Sequence, residues 1–286
     1  MATTPDSSSE CLVIVGVGLI GASIGLAARR GGRFGRIIGV GRQGASLHEA
    51  KRRNCVDEIS TDLPEAASHA DVLVVCTPVD RIAERILTAA VHCKRSTLIT
   101  DAGSTKAAMI QEIEDKLPAA SLFVGSHPLA GSEKKGPEHA RADLFDGRLT
   151  LLTPTERTSS GAIERATRFW ESLGSRVKRI SPEWHDQALA LTSHLPHLMA
   201  AALAGILPPE LAEFTASGFR DATRLAAGDP RLWTAIFSQN SLNVAGALDR
   251  LQKQLNRFRA ALENNDAEAI QELLVEAKKV RDDLGN

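Results

Sequence analysis

An apolar run that leads into a glycine-rich turn constrains the fold of this chain more than any other feature of its sequence. Residues 12–15 (LVIV) predict a buried strand, residues 16–21 read GVGLIG, and residues 20–30 predict a helix. A GxGxxG turn between a strand and a helix is typical of a unit that binds a dinucleotide. A second predicted strand at residues 36–40 follows at the distance such a unit requires.

The residues of this turn have separate expected roles. Gly16 permits the tight turn, Gly18 lets the backbone approach a pyrophosphate, and Gly21 lets the helix pack against the strand. Leu19 and Ile20 open the helix, whose first N–H groups and partial positive charge would face the phosphates. The sequence therefore predicts a cofactor site here; the alternative is a glycine-rich turn without a ligand.

The same alternation of strands and helices continues through the first half of the chain. Continuous runs of Val, Ile and Leu between helices are typical of a parallel sheet covered on both faces. We therefore predict an α/β fold: a Rossmann-type doubly wound sheet over residues 11–182, after a disordered, polar N-terminus at residues 1–10. Further strands are predicted at residues 71–76, 98–101, 122–125, 149–153 and 177–180, and helices at residues 46–54 and 162–173.

Residues 183–286 show helical patterns alone, which predicts an all-helical C-terminal domain. An Ala/Leu-rich helix is expected to end at Pro208-Pro209, and residues 267–284 predict an amphipathic helix. Between them an apolar stripe recurs at steps of three and four residues. Such a stripe could pack within the chain, but symmetric dimers are common, so we expect a homodimer through these helices. The stripe consists of Val244, Leu248, Leu251, Leu255, Phe258 and Leu262.

Composition argues against several classes of protein. The net charge of −1, from 34 basic and 35 acidic residues, does not favour a nucleic-acid partner. No apolar run approaches the roughly 18 residues of a membrane helix, and the N-terminus does not resemble a signal peptide. The four cysteines lack metal-ligand spacing, so we expect no metal site and a reducing, cytoplasmic location.

The end of the second predicted strand indicates which dinucleotide binds. NAD-dependent enzymes usually have Asp or Glu there, which bonds the ribose hydroxyls. This chain has Gly41-Arg42, with Ser46 beyond it. Gly41 removes the repulsion that a 2′-phosphate would meet, while Arg42 and Ser46 offer a charge-assisted donor and a hydroxyl donor. We expect NADP to be preferred; NAD is possible if Arg42 is only a solvated surface charge.

Polar segments follow the predicted strands, where a Rossmann enzyme assembles its active site. Thr77 and Pro78 would lie under the nicotinamide, and Asp101 would contact the cofactor. The other segments are DAGSTK (101–106), GSHPLAGS (125–132), SHLPH (193–197) and GFRDATR (218–224).

Together these segments resemble the prephenate/arogenate dehydrogenase family of tyrosine biosynthesis. The resemblance rests on GVGLIGAS, DAGSTK, GSHPLAGSEKKG, SHLPH and GFRDATRLAAGDPRLW, in the family's order and over nearly the whole chain. It implies an oxidoreductase that decarboxylates prephenate to 4-hydroxyphenylpyruvate, or arogenate to tyrosine, with hydride transfer to NADP⁺ or NAD⁺.

For that chemistry we expect a base and a hydroxyl group. His127 is the candidate base, because an ordinary histidine pKa of about 6.5 suits proton removal at neutral pH; a structural histidine is the alternative. Ser104 would bond the substrate hydroxyl or the His127 imidazole, or it would cap a helix that begins near Thr105. Lys106 could be a solvated helix charge.

The helical half is expected to bind the anionic substrate. Arg224 would hold the ring carboxylate in a bidentate pair. Arg220 would contact the substrate or pair with Asp221 at the entrance. Ser217 stands where some family members have glycine, and its hydroxymethyl group could tune recognition of the substrate side chain.

His194 and His197 share a helical face, and the resemblance favours His197 as the substrate contact. Either one could instead be a packed core histidine, and no third metal ligand accompanies them. Trp233 is expected at the pocket wall. Arg231 would repel the ammonium group of arogenate, which favours prephenate.

Two other functions compete with this interpretation. One is another two-domain NADP-dependent dehydrogenase, acting on a hydroxyacid or an imine. The other is a regulator that binds NADP(H) without turnover. A base, a hydroxyl and a carboxylate clamp (His127, Ser104 and Arg224) together argue against the regulator, which needs none of them.

Overall fold

Buried strands build a six-stranded parallel sheet in the first half of the computed structural model, which describes residues 10–118, 121–131 and 134–285. Alternate residues of one strand serve the two faces: Leu12 and Ile14 join one hydrophobic core, and Val13 and Val15 join the other. The strands pair in the order β3-β2-β1-β4-β5-β6. They are β1 (Glu10–Val15), β2 (Phe34–Val40), β3 (Glu58–Ser60), β4 (Val72–Val75), β5 (Leu98–Asp101) and β6 (Leu122–Phe123).

Helices connect these strands and cover both faces of the sheet. They are α1 (Leu19–Gly31), α2 (Ala45–Arg52), α3 (Leu63–His69), α4 (Val79–Ala90) and α5 (Ala107–Lys116). Helix α4 shows why these helices pack on the sheet. Its apolar residues recur at helical spacing, and Val79, Ile82 and Ile86 are buried against the sheet. The predicted doubly wound, Rossmann-type sheet is confirmed.

The later predicted strands form a separate, three-stranded sheet. The predicted run at residues 122–125 divides at Val124 into β6 and a new strand, β7 (Gly125–Pro128), which leaves the large sheet. Strand β7 pairs antiparallel with β8 (Leu149–Thr153), and β8 pairs parallel with β9 (Arg176–Arg179). The helix α6 (Ser160–Ser172) connects β8 to β9. Apolar patterning predicts β8 and β9 but not β7, whose sequence GSHP has no apolar run, and it does not reveal which sheet each strand joins.

Two local features differ from the sequence expectation. Strand β3 was not predicted, because three residues with two polar side chains carry too little pattern. Strand β1 begins at Glu10, the last residue of the segment expected to be disordered, and Glu10 pairs with Arg33. Residues 1–9 of that segment lie outside the described residues.

The second half is helical, as predicted. After β9 come α7 (Pro182–Leu189), a π-helical turn (Ala190–His194), α8 (Leu195–Gly205), α9 (Ser217–Thr223), α10 (Pro230–Gln239), α11 (Ser241–Glu263) and α12 (Ala267–Asp283). The wide π turn ends two residues before Pro196, whose ring removes one N–H from the α-helical ladder. Helix α8 ends before Pro208, where the proline pair was expected to stop it.

The apolar stripe of α11 is covered only at one end. Val244 is buried within the chain, whereas Leu255 is 49% exposed and Leu262 is 61% exposed. Helix α12 adds exposed apolar side chains, among them Leu274 and Val280. A single chain therefore leaves an apolar surface on its last two helices.

The stretch Pro182–Gly205 is longer and more apolar than the sequence pattern suggested. Within it an 18-residue window has a mean hydropathy of 1.2, so length and composition alone would let this helical stretch cross a membrane, contrary to the expectation that no run is long enough. Its buried face, however, carries His185, Asp186 and His194, which are hydrogen-bonded to other parts of the fold. Such bonds are typical of a helix inside a folded domain.

Candidate active site

In the glycine turn after β1, two glycines are required by close backbone contacts, and the third faces open space. Gly16 has a φ of +96°, and a Cβ there would lie 2.9 Å from the carbonyl of Cys76. A Cβ on Gly21 would overlap the carbonyl oxygen of Gly16. A Cβ on Gly18 would meet nothing within 4 Å, so the protein itself does not demand glycine at this position. That open approach is what a pyrophosphate needs.

Residues around this turn also fit a dinucleotide. Leu19 and Ile20 form the first turn of α1, where backbone N–H groups have no intrahelical acceptor. Thr77, just beyond β4, has a buried hydroxyl without a hydrogen-bond partner among the described residues. Pro78 caps α4. Unpaired buried polar groups are rare, so this hydroxyl marks a place for a polar group of a ligand.

Arg42 lies just past the C-terminal end of β2, as predicted. Its side chain is exposed and makes no hydrogen bond or ion pair with any residue that the structure describes. Ser46 is exposed in the first turn of α2. The cationic side chain is therefore available to a ligand.

His127 is held by a residue that the sequence does not single out. It lies on β7, and its Nδ1 is 2.8 Å from Nε2 of His185 on α7. Nδ1 of His185 is in turn 2.8 Å from Oδ1 of Asp186. His185 and Asp186 are at most 2% exposed. Nε2 of His127 makes no hydrogen bond with the described residues, so one ring nitrogen is engaged and the other is free.

Asp186 also caps a helix of the nucleotide-binding half. Its Oδ1 accepts the N–H of Lys106 at 2.9 Å, and its Oδ2 accepts the N–H of Ala107 at 2.9 Å. Helix α5 therefore begins at Ala107 rather than near Thr105. The alternative role of Ser104, as the cap of this helix, is wrong, because a carboxylate from another helix accepts the first N–H groups.

Ser104 itself is half-buried, and its hydroxyl makes no hydrogen bond with the described residues. The expected bond between Ser104 and the His127 imidazole is not formed; His185 takes that place. The Ser104 hydroxyl is thus free for a ligand.

Asp101 and Lys106 form a fully buried ion pair. Lys106 Nζ lies 2.6 Å from Asp101 Oδ2, and both side chains are 0% exposed. The Asp101 carboxylate also accepts the N–H groups of Gly103 and Ser126. Lys106 is therefore not a solvated charge. Asp101 was predicted to contact the cofactor, but its carboxylate is bound by Lys106 and by backbone N–H groups inside the protein. Breaking such a pair costs about 3–5 kcal/mol, so it fixes the loop that carries Ser104.

His194 is held by Asn240 at the junction of α10 and α11. Nδ2 of Asn240 donates to the backbone oxygen of Asp186 at 2.8 Å and lies 3.1 Å from Nδ1 of His194. Nε2 of His194 is buried without a partner among the described residues. Burial lowers the pKa of His194 to about 4.

His197 packs face to face against Trp233. The ring centroids are 3.6 Å apart and the planes differ by 14°. His197 is 6% exposed, and burial lowers its pKa. Trp233 is half-buried, and it also packs against a hydrophobic core of the nucleotide-binding half. Among the described residues, no group of three potential ligands that includes His194 and His197 could hold a metal.

Three arginines of the helical half have side chains without a hydrogen-bond or ion-pair partner in the described part of the chain. Arg220 on α9, Arg224 in the 3₁₀ turn after it, and Arg231 on α10 are all at least partly exposed. The ion pair considered for Arg220 and Asp221 is therefore not formed within the described residues. Ser217 begins α9 and is exposed. This segment packs on α8, which carries His197.

Burial keeps the histidines around the base neutral. Desolvation lowers the pKa of His127 well below its ordinary value, and the neighbouring His185 and Lys106 lower it further. Desolvation also lowers the pKa of His185, although Asp186 opposes this shift. At neutral pH both rings are uncharged.

A Rossmann sheet with a glycine turn, joined to a helical half that supplies histidines and arginines, defines a nicotinamide-dependent dehydrogenase with an all-helical second domain. Comparison with protein families gives the particular family. Residues 24–179 match the nucleotide-binding domain of prephenate dehydrogenase, and residues 181–276 match its dimerisation domain. The chain belongs to the prephenate dehydrogenase family and is an NAD(P)-dependent oxidoreductase.

Individual relatives agree with the family over nearly the whole chain. Cyclohexadienyl dehydrogenase of Zymomonas mobilis is 35% identical over 94% of each chain. Prephenate dehydrogenase from A. aeolicus, in complex with hydroxyphenyl propionate and NAD⁺, superposes with a TM-score of 0.91 at 33% identity, covering 97% of this chain and 99% of that one. Arogenate dehydrogenase from Synechocystis has a TM-score of 0.81 at 30% identity, covering 96% and 99%.

The buried histidines predict a fold that weakens in mild acid. The pKa values of His127, His185 and His194 are lower in the folded chain than in the unfolded chain, so below pH 6.5 the unfolded chain binds more protons. Stability is therefore complete above pH 6.5, and the free energy of unfolding should fall as the pH drops from 6.5 to about 5. This window lies above the ordinary pKa of carboxylates.

Urea unfolding at a series of pH values measures this slope. His194→Gln removes one of the titrating groups, so its slope should be shallower than that of the wild type. A free energy of unfolding that is constant or rises toward pH 5 would contradict the neutral, buried state of these rings.

Proposed function

We propose that the protein oxidises and decarboxylates prephenate, in preference to arogenate, with NADP⁺ as the preferred acceptor. The observation that carries the proposal is the geometry of His127, whose Nδ1 is held by His185 while its Nε2 has no partner among the described residues. A neutral imidazole with one nitrogen held and the other free is suited to act as a general base.

The reaction needs proton removal from the substrate hydroxyl. His127 Nε2 would accept this proton, and the free hydroxyl of Ser104 would donate a hydrogen bond to the same oxygen. A bound nicotinamide would supply the hydride acceptor for the carbon that carries this hydroxyl. Loss of carbon dioxide then sends the pair of electrons of the broken C–C bond into the ring, and the proton held on His127 can return to the oxygen of the new phenol.

The nucleotide-binding half would hold the dinucleotide and the helical half would hold the substrate, so that the two meet beside this base. The glycine turn at Gly16, Gly18 and Gly21 would hold the pyrophosphate, and Thr77 would bond the nicotinamide portion. His197 and Trp233 would pack against the substrate from the helical half. Arg224 would bind a carboxylate in bidentate fashion.

Charge supports prephenate over arogenate. The segment that carries Arg220, Arg224 and Arg231 has three guanidinium groups that make no ion pair with the described residues. Prephenate carries two carboxylates, whereas arogenate adds an ammonium group that these cations would repel. The net attraction is therefore larger for prephenate.

The oligomer and the location are also part of the proposal. The exposed apolar side chains of α11 and α12, together with the match to a dimerisation domain, support a homodimer through the C-terminal helices. All four cysteines are free, which supports a reducing cytoplasmic compartment.

Steady-state assays test the activity directly. Purified protein is mixed with prephenate or arogenate and with NADP⁺ or NAD⁺, and the absorbance of the reduced cofactor is followed. We expect the highest kcat/KM for prephenate with NADP⁺. Turnover of neither substrate would overturn the proposed reaction, and a higher kcat/KM for arogenate would overturn the substrate preference.

His127→Asn tests the base. Asn keeps polarity and approximate size but cannot take up a proton, so kcat should fall by about 10²- to 10⁴-fold while the Kd of the substrate stays near its wild-type value. His92→Asn is the control, because His92 is exposed beyond the far end of α4 and should leave kcat unchanged. Equal kcat values for wild type and His127→Asn would exclude His127 as the base.

Arg42→Ala tests the cofactor preference. Loss of a charge-assisted hydrogen bond to a 2′-phosphate should lower kcat/KM for NADP⁺ by about 10- to 100-fold and leave the value for NAD⁺ nearly unchanged. Arg53→Ala, at the opposite end of α2, is the matched control and should change neither value. An equal loss with both cofactors, or none, would refute the role of Arg42.

A further inference from the structure

His185 and Asp186 take no direct part in the proton and hydride transfers, yet they form a hydrogen-bonded path from the helical half to the base. Both are fully or almost fully buried. A buried chain of three titratable groups needs a consistent arrangement of hydrogens, because each contact has to pair one donor with one acceptor.

We propose that His185 and Asp186 are positioning residues, which lock His127 in the tautomer whose Nε2 is unprotonated, and that Asp186 makes this lock depend on the docking of α7 against the N-terminus of α5. The inference rests on the proposed function for its consequence, but the arrangement of hydrogens can be tested without turnover.

Asp186 fixes the position of the first hydrogen in the hydrogen-bonded row Asp186–His185–His127. A backbone N–H can only donate, so the 2.9 Å contact from the N–H of Lys106 makes Oδ1 an acceptor. The same oxygen lies 2.8 Å from Nδ1 of His185. His185 Nδ1 must therefore carry the hydrogen of that bond.

The two rings then fix each other. His185 is neutral, so with a hydrogen on Nδ1 its Nε2 holds a lone pair. His127 Nδ1, 2.8 Å away, has to donate to this lone pair. His127 is also neutral, so its Nε2 holds the remaining lone pair. The opposite tautomer of His127 would place two lone pairs against each other.

This lock has a functional consequence, because isolated imidazoles favour the hydrogen on Nε2. A His127 with that tautomer would have no lone pair to offer at its free nitrogen and could not take up the substrate proton. His185 thus supplies the orienting bond that was expected of Ser104, leaving the Ser104 hydroxyl available to the substrate.

The domain interface takes part in the same lock. The carboxylate that orients His185 also accepts two N–H groups at the start of α5, directly after the loop that carries Ser104. Asn240 holds the backbone oxygen of Asp186 from the other side at 2.8 Å. If α7 moved away from α5, the cap of α5 and the orientation of His185 would be lost together.

Nitrogen NMR of the full-length protein tests the tautomer. With ¹⁵N-labelled histidine and the His127 signals assigned by comparison with His127→Asn, we expect Nδ1 of His127 to have the shift of a protonated nitrogen and Nε2 that of an unprotonated one. Protonated Nε2 with unprotonated Nδ1 in the wild type would overturn the proposal. This measurement stands even if neither prephenate nor arogenate is turned over, so it separates this inference from the proposed function.

Two variants of His185 test the consequence. His185→Phe keeps a planar ring but cannot accept a hydrogen bond, so the unprotonated signal of His127 should move away from Nε2, and kcat should fall about 10-fold or more with KM for prephenate changed less than about threefold. His185→Gln offers an amide oxygen as acceptor, so kcat should return to within about threefold of wild type. Thermal unfolding shows whether each variant is folded.

A merely structural role for His185 predicts a different pattern. His185→Phe would then lower stability while kcat of the folded enzyme and the His127 spectrum stayed as in the wild type, and this result would overturn the proposal. Equal losses of kcat in His185→Phe and His185→Gln, with both proteins folded, would also overturn it. If His185→Phe does not fold, the wild-type spectrum and His185→Gln still decide.

Discussion

The carboxylate of Asp186 is a buried point at which the two halves of this chain meet. It is 2% exposed, and it accepts hydrogen bonds from two backbone N–H groups of the nucleotide-binding half and from His185. A buried anion is tolerated only when such donors surround it. Correct docking of the helical half is therefore enforced by the same group that orients the base, and a misdocked domain would leave both a bare helix end and a misplaced His127.

Much of the fold could be predicted from the sequence, and the reason is the strength of the apolar pattern. Strands buried on both faces, such as β1 and β4, consist almost entirely of apolar residues, so the amino-acid pattern alone is enough to locate them. Strand β3 and the separate sheet of β7, β8 and β9 were not predicted, because short strands carry little pattern and sheet membership depends on pairing between distant segments. The predicted family, which rests on polar segments spread over the chain, is confirmed.

The site was harder to predict, because its hydrogen bonds connect residues far apart in sequence. His127 and His185 are 58 residues apart, and Asp186 bonds Lys106 across 80 residues. Local signals were misleading at two points. Ser104 and Thr105 resemble a helix start, yet the first N–H groups of α5 are capped from another helix. Lys106 resembles a surface charge, yet it is buried against Asp101. A histidine next to an aspartate on a predicted helix was the available signal, and it is too common to single out.

The departure of β7 from the large sheet places the base and the glycine turn on two different sheets. The glycine turn belongs to β1 and α1, whereas His127 is carried by the small sheet with β8 and β9. The two sheets are joined where Ser126 bonds Thr100 and Asp101, one residue from His127. Helix α6, which joins β8 to β9, also buries Phe169 and Trp170 in the core that β1 lines. A substitution that shifts α6 would therefore displace the base and the cofactor turn together, so the two functions are constrained by one shared core.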